Sequence, residues 1–228
     1  TSEILNFIST YLYYGRDLEG KSILVTAGAN QEQIDPMRYI TNKSSGKMGL
    51  ALARAAHIRG AKVKLIYAAI SEPVPEYFAS EQAITASELH KSVINNYRNF
   101  ETIIMAAAVA DYTPANSSQQ KIKKSGDLNI ELKRTTDILA ELGANKSSEQ
   151  YLVGFAAESE NITANAKAKL TKKKIDMIIA NNLNVSGKDT TEIEIITMEN
   201  NITIKGSKFE IAHKILEAVF SKKPEQKR

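Results

Sequence analysis

Cysteine and tryptophan are missing from this 228-residue chain, and histidine occurs only three times. Without a thiol, disulfides and thiolate metal sites within the chain are excluded. His57, His90 and His213 fall in helix-like segments with no metal-ligand spacing, so packing or surface roles are their ordinary reading. No His-Glu-x-x-His pair and no Ser/His/Asp set is visible, which leaves hydrolase chemistry without its parts. No apolar run approaches the roughly 18 residues of a membrane span. The first residues lack a basic stretch leading into an apolar one, so neither a secretory signal nor a membrane partner is expected, and a cytoplasmic setting is. A surplus of one charge is also lacking. Thirty basic residues against 26 acidic ones leave +4, which suits small anionic ligands and is a poor footprint for nucleic acid.

What is present is ordinary globular composition, 43% hydrophobic and 25% charged, which argues against global disorder. Ile4, Leu5, Ile8, Leu12 and Tyr13 recur at helical spacing, so residues 1–17 are read as a linker helix that either packs on the domain or connects to more chain. From residue 18 to 228 one α/β domain is expected. Strands are predicted at 22–28, 62–68, 102–109, 128–132, 151–157 and 176–180, with a hairpin from Ile193–Thr197 and Ile202–Lys205. Helices are predicted at 46–59, 87–97, 136–143, 161–174 and 209–220, and the tail after 220 should fray. Apolar strands alternating with amphipathic helices imply a Rossmann-like, mostly parallel sheet covered on both faces, with a small hairpin and flap extension. In such sheets ligands bind beyond the carboxyl ends of strands, which draws attention to Thr26–Asn30, Ala108–Tyr112 and Phe155–Glu158.

Between the first strand and the first domain helix stands Arg38-Tyr-Ile-Thr-Asn-Lys-Ser-Ser-Gly-Lys-Met-Gly49. Hydroxyls, amides, cations and glycine opening a helix can hold an anion, because the first helical N–H groups are unpaired. Ser44 or Ser45 could equally be a plain helix cap, with Gly46 allowing tight packing. The Gly-x-Gly-x-x-Gly dinucleotide fingerprint is absent, and a Walker loop fails because Met48 stands where Ser or Thr is needed. Lys121-Ile-Lys-Lys124 and the pair Lys169 and Lys173 are either solvated charge or ammonium groups presented to a polyanion. Asp111, after an apolar strand, either caps a helix or accepts a hydrogen bond from a sugar or base.

Six blocks occur in one order: Thr26-Ala-Gly28, Ile34-Asp-Pro-Met-Arg-Tyr-Ile-Thr-Asn42, Ser44-Ser-Gly-Lys-Met-Gly49, Ala107-Ala-Val-Ala-Asp-Tyr112, Lys121-Ile-Lys-Lys124 and Gly154-Phe-Ala-Ala-Glu158. From about residue 18 to 221 the chain resembles the phosphopantothenate–cysteine ligases of coenzyme A biosynthesis, in their bacterial CTP-using form. The resemblance implies that 4′-phosphopantothenate attacks CTP to give an acyl-cytidylate and pyrophosphate, after which L-cysteine displaces CMP. It implies Mg²⁺ travelling with CTP, no protein side chains assigned as metal ligands, and a homodimer. Its implied catalytic residues are Asn42, Lys121 and Arg38. Gly28, Ser44, Ser45, Gly46, Ala107 and Ala108 would meet the acyl substrate or intermediate. Asp111, Lys121, Thr136, Asp137, Ile138, Leu139, Phe155, Lys169 and Lys173 would bind CTP.

Two departures stand out. Relatives commonly carry Gly-Pro-Thr-Arg/Lys-Glu after the first strand, where this chain has Gly28-Ala-Asn-Gln-Glu32, and a histidine where it has Lys43. The leading helix resembles the connector that follows a flavin-dependent decarboxylase in fused enzymes, so fusion is expected and FMN is not expected in these 228 residues. The competing readings are an NAD(P)-binding oxidoreductase and a non-catalytic nucleotide-binding module.

Overall fold

Runs that are apolar at nearly every position, such as Ser22–Ala27 and Thr102–Met105, offer water no polar face and become inner strands of one sheet. The computed structural model describes residues 2–123, 126–158, 162–182 and 191–221. In chain order the elements are α1 (Ser2–Tyr14), β1 (Ser22–Ala27), β2 (Gln31–Asp35), β3 (Arg38–Thr41), α2 (Lys47–Ile58), β4 (Lys62–Tyr67), β5 (Ala79–Gln82) and α3 (Ala86–Asn96). They continue with β6 (Thr102–Met105), β7 (Tyr112–Pro114), β8 (Leu132–Arg134), α4 (Ile138–Asn145), β9 (Tyr151–Glu158), α5 (Ile162–Lys173), β10 (Met177–Asn182), β11 (Thr191–Ile196), β12 (Asn201–Gly206) and α6 (Lys208–Phe220).

The main sheet runs β12-β11-β10-β9-β6-β1-β4-β5, parallel from β10 to β5, with β11 and β12 antiparallel at one edge. This is the expected Rossmann-like α/β class. Alternate side chains of β1 serve opposite cores. Ile23 and Val25 join Leu52 and Ala55 of α2 and Ile211 and Leu216 of α6, while Leu24 joins Leu89 of α3, Leu142 of α4 and Leu170 of α5.

Several local expectations are corrected. Residues 31–41 fold as the β2–β3 hairpin; their polar sequence has no alternation to announce it, and backbone pairing with an Asp35 turn holds it. β6 stops at Met105 instead of Val109, because the Ala107 N–H turns to the Thr26 hydroxyl at 3.1 Å. The strand expected at 128–132 forms only from Leu132 to Arg134, where β7 lies beside it; Leu128 and Ile130 have no strand partner and are exposed. Asp111 caps no helix, since β7 follows it. β5 is a polar strand that its composition did not reveal.

α1 lies on the body through Thr10, whose Oγ1 is 3.1 Å from His213 Nε2, and Tyr14, whose hydroxyl donates to Glu217 at 2.7 Å. The apolar residues whose spacing marks the helix, Ile4, Leu5, Ile8, Leu12 and Tyr13, face outward, 47–79% exposed. Lys124, the start of the predicted 161–174 helix at Asn161, and the tail beyond residue 221 lie outside the described residues.

Candidate active site

The chain leaves β1 toward β4 on one side, while β6 leads toward β9 on the other, so a crevice opens beyond the carboxyl ends of β1 and β6. Gly28 turns there with φ +87°, and a Cβ on it would lie 2.5 Å from the Ala69 carbonyl oxygen. Backbone bonds stitch the strip after it between its neighbours. Ala29 N–H donates to Ala69 (3.0 Å), Ala108 N–H to Gly28 (2.8 Å) and Asn30 N–H to Ala108 (3.3 Å).

Gly46, also left-handed at φ +72°, is the N-cap of α2, and no side chain caps that helix. The capping reading of Ser44 and Ser45 is therefore set aside. Ser44 Oγ accepts from Gly46 N–H at 3.4 Å, and the Ser45 carbonyl accepts from Ser71. The first-turn amides of α2 are left with the partial positive charge of a helix start, suited to an anion. Gly49 lets α2 press on β1, since a Cβ there would sit 2.8 Å from the Thr26 carbonyl oxygen. The three glycine tasks of a dinucleotide loop (turn, close backbone approach, helix packing) are thus present, but the hairpin separates the first from the other two.

That hairpin carries Asn42 over the end of β6. The Asn42 side-chain amide donates to the carbonyls of Val109 (3.0 Å) and Ala108 (3.4 Å), and Thr41 Oγ1 donates to the Asn30 carbonyl at 2.7 Å. Arg38, exposed at its tip, is tied to buried Asp35 by Nε (3.0 Å) and Nη2 (2.6 Å), and Nη2 also donates to the Ile122 carbonyl at 2.8 Å. Burial alone would raise the Asp35 pKa; bonds from Arg38 and from the Met37 and Ile122 amides outweigh it and hold the carboxyl at about 2. Lys121 is exposed, next to this contact.

Of the residues assigned to the nucleotide, residues 136–139 and Lys173 are brought together at the start of α4, whereas Phe155 lies within β9 on the opposite core and Lys121 stands by the β2–β3 hairpin. Thr135 links the two parts, donating from Oγ1 to the Ala110 carbonyl (2.6 Å) and from its N–H to the Asp111 carbonyl (3.0 Å). Thr136 and Asp137 are exposed; Ile138 is buried and Leu139 half-buried, against Gly154 of β9. Phe155 packs half-buried on the core. Asp137 caps α4 by accepting from Ala140 N–H at 3.0 Å and pairs with Lys173 at 2.9 Å. Its carboxyl is shifted down although burial opposes this, because the Lys173 and Ala140 bonds prevail. Lys173, expected to meet phosphate, is therefore held by Asp137 here. Lys169 is half-buried one turn back on α5. Ala107 and Ala108 are half-buried at the crevice. Among the described residues no three His, Asp or Glu side chains stand together as a metal cage.

Four participants escaped the residue-by-residue assignment: Asp35, Thr26, Thr41 and Thr135. Asp35 had a local signal, an Asp-Pro turn start. The hydroxyls of Thr26, Thr41 and Thr135 had none, because their partners are remote in sequence.

A doubly wound sheet with an anion-receptive crevice at its switch point defines the Rossmann-like ligand-binding class. Residues 18–222 match the DNA/pantothenate metabolism flavoprotein C-terminal domain family, and the chain belongs to that family. It is 46% identical over 172 residues to the coenzyme A biosynthesis bifunctional protein CoaBC of Bacillus subtilis, covering 75% of this chain and 42% of that protein. It is 39% identical over 218 residues to a cysteine/cysteine sulfinic acid decarboxylase of an unknown prokaryotic organism, covering 93% and 60%. The crystal structure of the C-terminal domain of a CoaBC protein superposes with TM-score 0.78 at 37% identity, covering 90% of this chain and 96% of that domain. The chain spans between about two fifths and three fifths of these curated relatives.

Proposed function

We propose that this chain ligates 4′-phosphopantothenate to L-cysteine through an acyl-cytidylate made from CTP. The observation that carries the reading is the meeting, at one sheet end, of two left-handed glycines, an uncapped helix start and the Asn42 amide. In the first half-reaction a carboxylate oxygen bonds to the α-phosphorus and pyrophosphate leaves. In the second, the cysteine amine bonds to the carbonyl carbon, CMP leaves and the amine loses a proton. Neither step needs a histidine or a thiol; both need positioning and neutralised charge.

Gly28, Ser44, Ser45 and Gly46 offer N–H and O–H donors to the phosphate or carboxylate of the acyl partner. Asn42 donates at the activated carbonyl, Arg38 acts from the hairpin tip where Asp35 holds it, and Ala107 and Ala108 leave the volume that the acyl group needs. Asp111, Thr136, Asp137, Ile138, Leu139, Phe155, Lys169 and Lys173 bound the nucleotide side, and Lys121 closes over it. Mg²⁺ would travel with the triphosphate, where it would neutralise phosphate charge. A homodimer, a cytoplasmic setting and fusion to a flavin-dependent decarboxylase belong to the same proposal.

The test follows pyrophosphate with CTP or ATP, with and without cysteine, and carbon dioxide release from cysteine in parallel. CTP-dependent pyrophosphate that requires 4′-phosphopantothenate supports ligation. Its absence sinks the reading, and carbon dioxide instead would favour the activity named for the 39% identical relative. Lys121→Gln should cut turnover strongly while leaving stability within ~0.5 kcal/mol, as for an exposed site.

A further inference from the structure

The polar segment after β7 is tied back to the hairpin at two points. Ser118 N–H donates to the Ile34 carbonyl at 2.9 Å, and Ile122 is held through its backbone N–H and its carbonyl, one on each of the two peptides that flank its Cα. Asp35 Oδ2 accepts the Ile122 N–H at 3.1 Å, while Arg38 Nη2 donates to the Ile122 carbonyl at 2.8 Å. The Asp35 carboxylate is fully buried, with Met37 N–H on Oδ1 at 2.8 Å and the guanidinium on Oδ2. Ile122 itself helps line a cleft of about 310 Å³ with Ile34, Leu128 and Ile130. Lys121 therefore stands between two fixed points, Ser118 and Ile122.

We propose that the Asp35–Arg38 pair is a latch that grips the Ile122 backbone and so sets where the Lys121 ammonium stands, which makes Asp35 a positioning residue for Lys121. The ion pair suits this task. A carboxylate can receive several donors at once, and a guanidinium can bind a carboxylate and a carbonyl in one plane, so the pair grips a peptide without reading its side chain. Only the Asp35 end is shielded from water, and removing its carboxylate leaves a guanidinium and two amides without their acceptor. The ionisation of Asp35 down to about pH 2 keeps the latch closed over the whole working range. The consequence for turnover rests on the proposed role of Lys121; the latch itself does not.

The absence of cysteine makes a clean test possible, because Gln120→Cys gives a single attachment site for a nitroxide label. The label should be immobilised in the otherwise native protein and freely mobile with Asp35→Asn or Ile122→Pro, the second removing the N–H that Asp35 receives. Ile122→Ala, which loses the same side chain from the cleft but keeps that N–H, should leave it immobilised. Asp35→Glu, which keeps the charge, should restore part of the immobilisation. In unlabelled protein Asp35→Asn should lower kcat about tenfold when Lys121 is present and less than about twofold in a Lys121→Gln background, as for residues acting through one another. An immobile label in both Asp35→Asn and Ile122→Pro, or kinetic losses that simply multiply, would overturn the latch. Should Asp35→Asn fail to fold, Ile122→Pro in its accessible segment decides alone. A label that loosens as expected in a protein with no CTP-dependent pyrophosphate release would leave the latch standing and remove the ligase reading.

Discussion

Gly28 and Gly46 stand back to back: a Cβ placed on Gly46 would lie 3.0 Å from the Gly28 Cα and would run into the Ile70 side chain. Both residues are left-handed, so the crevice floor depends on two backbones that no other residue type could bring so close. Gly46→Ala should destabilise by roughly 2–4 kcal/mol and abolish pyrophosphate release, since strain and overlap act together. Gly15→Ala is the control. It shares the positive φ, has nothing within 4 Å of the new Cβ, and should cost only about 1–2 kcal/mol with activity retained. Denaturant melts of the two variants check the difference.

Asn42→Asp exchanges an N–H donor for a carboxylate facing the Val109 and Ala108 carbonyls. The repulsion should lift Asn42 from the Ala108–Val109 segment that follows β6. Turnover should fall by at least about a hundredfold, as when a donor to a developing charge is lost. Because Asn42 is exposed, stability should fall by no more than about 1 kcal/mol. Thermal melts run beside kinetics separate the two effects, and a general collapse of the fold would contradict the assignment.

Lys173 is paired with Asp137, so a phosphate meeting this ammonium competes with or shares that contact. Lys173→Ala should raise the KM for CTP several-fold while changing stability by less than about 1 kcal/mol, because the pair is partly exposed. Asp137→Ala should remove the α4 cap, costing about 1 kcal/mol, and raise the KM for CTP, since Asp137 borders the nucleotide and anchors Lys173. An unchanged KM in both variants would return the pair to a purely structural role.

His213 gives the chain an acid-sensitive seam. Burial first, then Arg59 and Lys214, push its pKa down to about 4, against the pull of Glu217 and Asp17. It stacks on Tyr14 at 4.7 Å and lies edge-on to Phe209 at 4.6 Å. The neutral ring is the folded form, so this contribution is complete above about pH 6.5 and is lost as pH falls toward 4, since the unfolded chain binds the extra proton. The loss should reach about 3 kcal/mol. Urea melts from pH 7 to 4 should show the wild type losing stability more steeply than His213→Phe, which keeps the ring packing without the charge.

How much of this was legible beforehand depended on the kind of force involved. β1, β6, β9 and the helix stripes such as Ala166 and Leu170 follow from apolar periodicity, which a linear reading detects directly. The β2–β3 hairpin, β5 and the β7–β8 pair were missed or misplaced because they are short, polar and held by backbone bonds. The Asp35 role was hidden for a further reason, that its partner Ile122 is 87 residues away. Lys173 was legible as a cation, but its pairing with Asp137 was not.

The sequence by itself determined the class of fold, the apolar strands and amphipathic helices that alternate along it, and the six blocks that mark the family, because hydrophobic period and local residue choice act over a few neighbours. Only the tertiary structure decided that Gly28, Gly46 and Gly49 share one crevice, that Asn42 leans on the Ala108–Val109 segment after β6, and that Asp35 and Arg38 grip the backbone of Ile122. Those facts depend on hydrogen bonds and close approaches between segments far apart in the chain, and they exist only once the two buried cores have fixed where each segment lies.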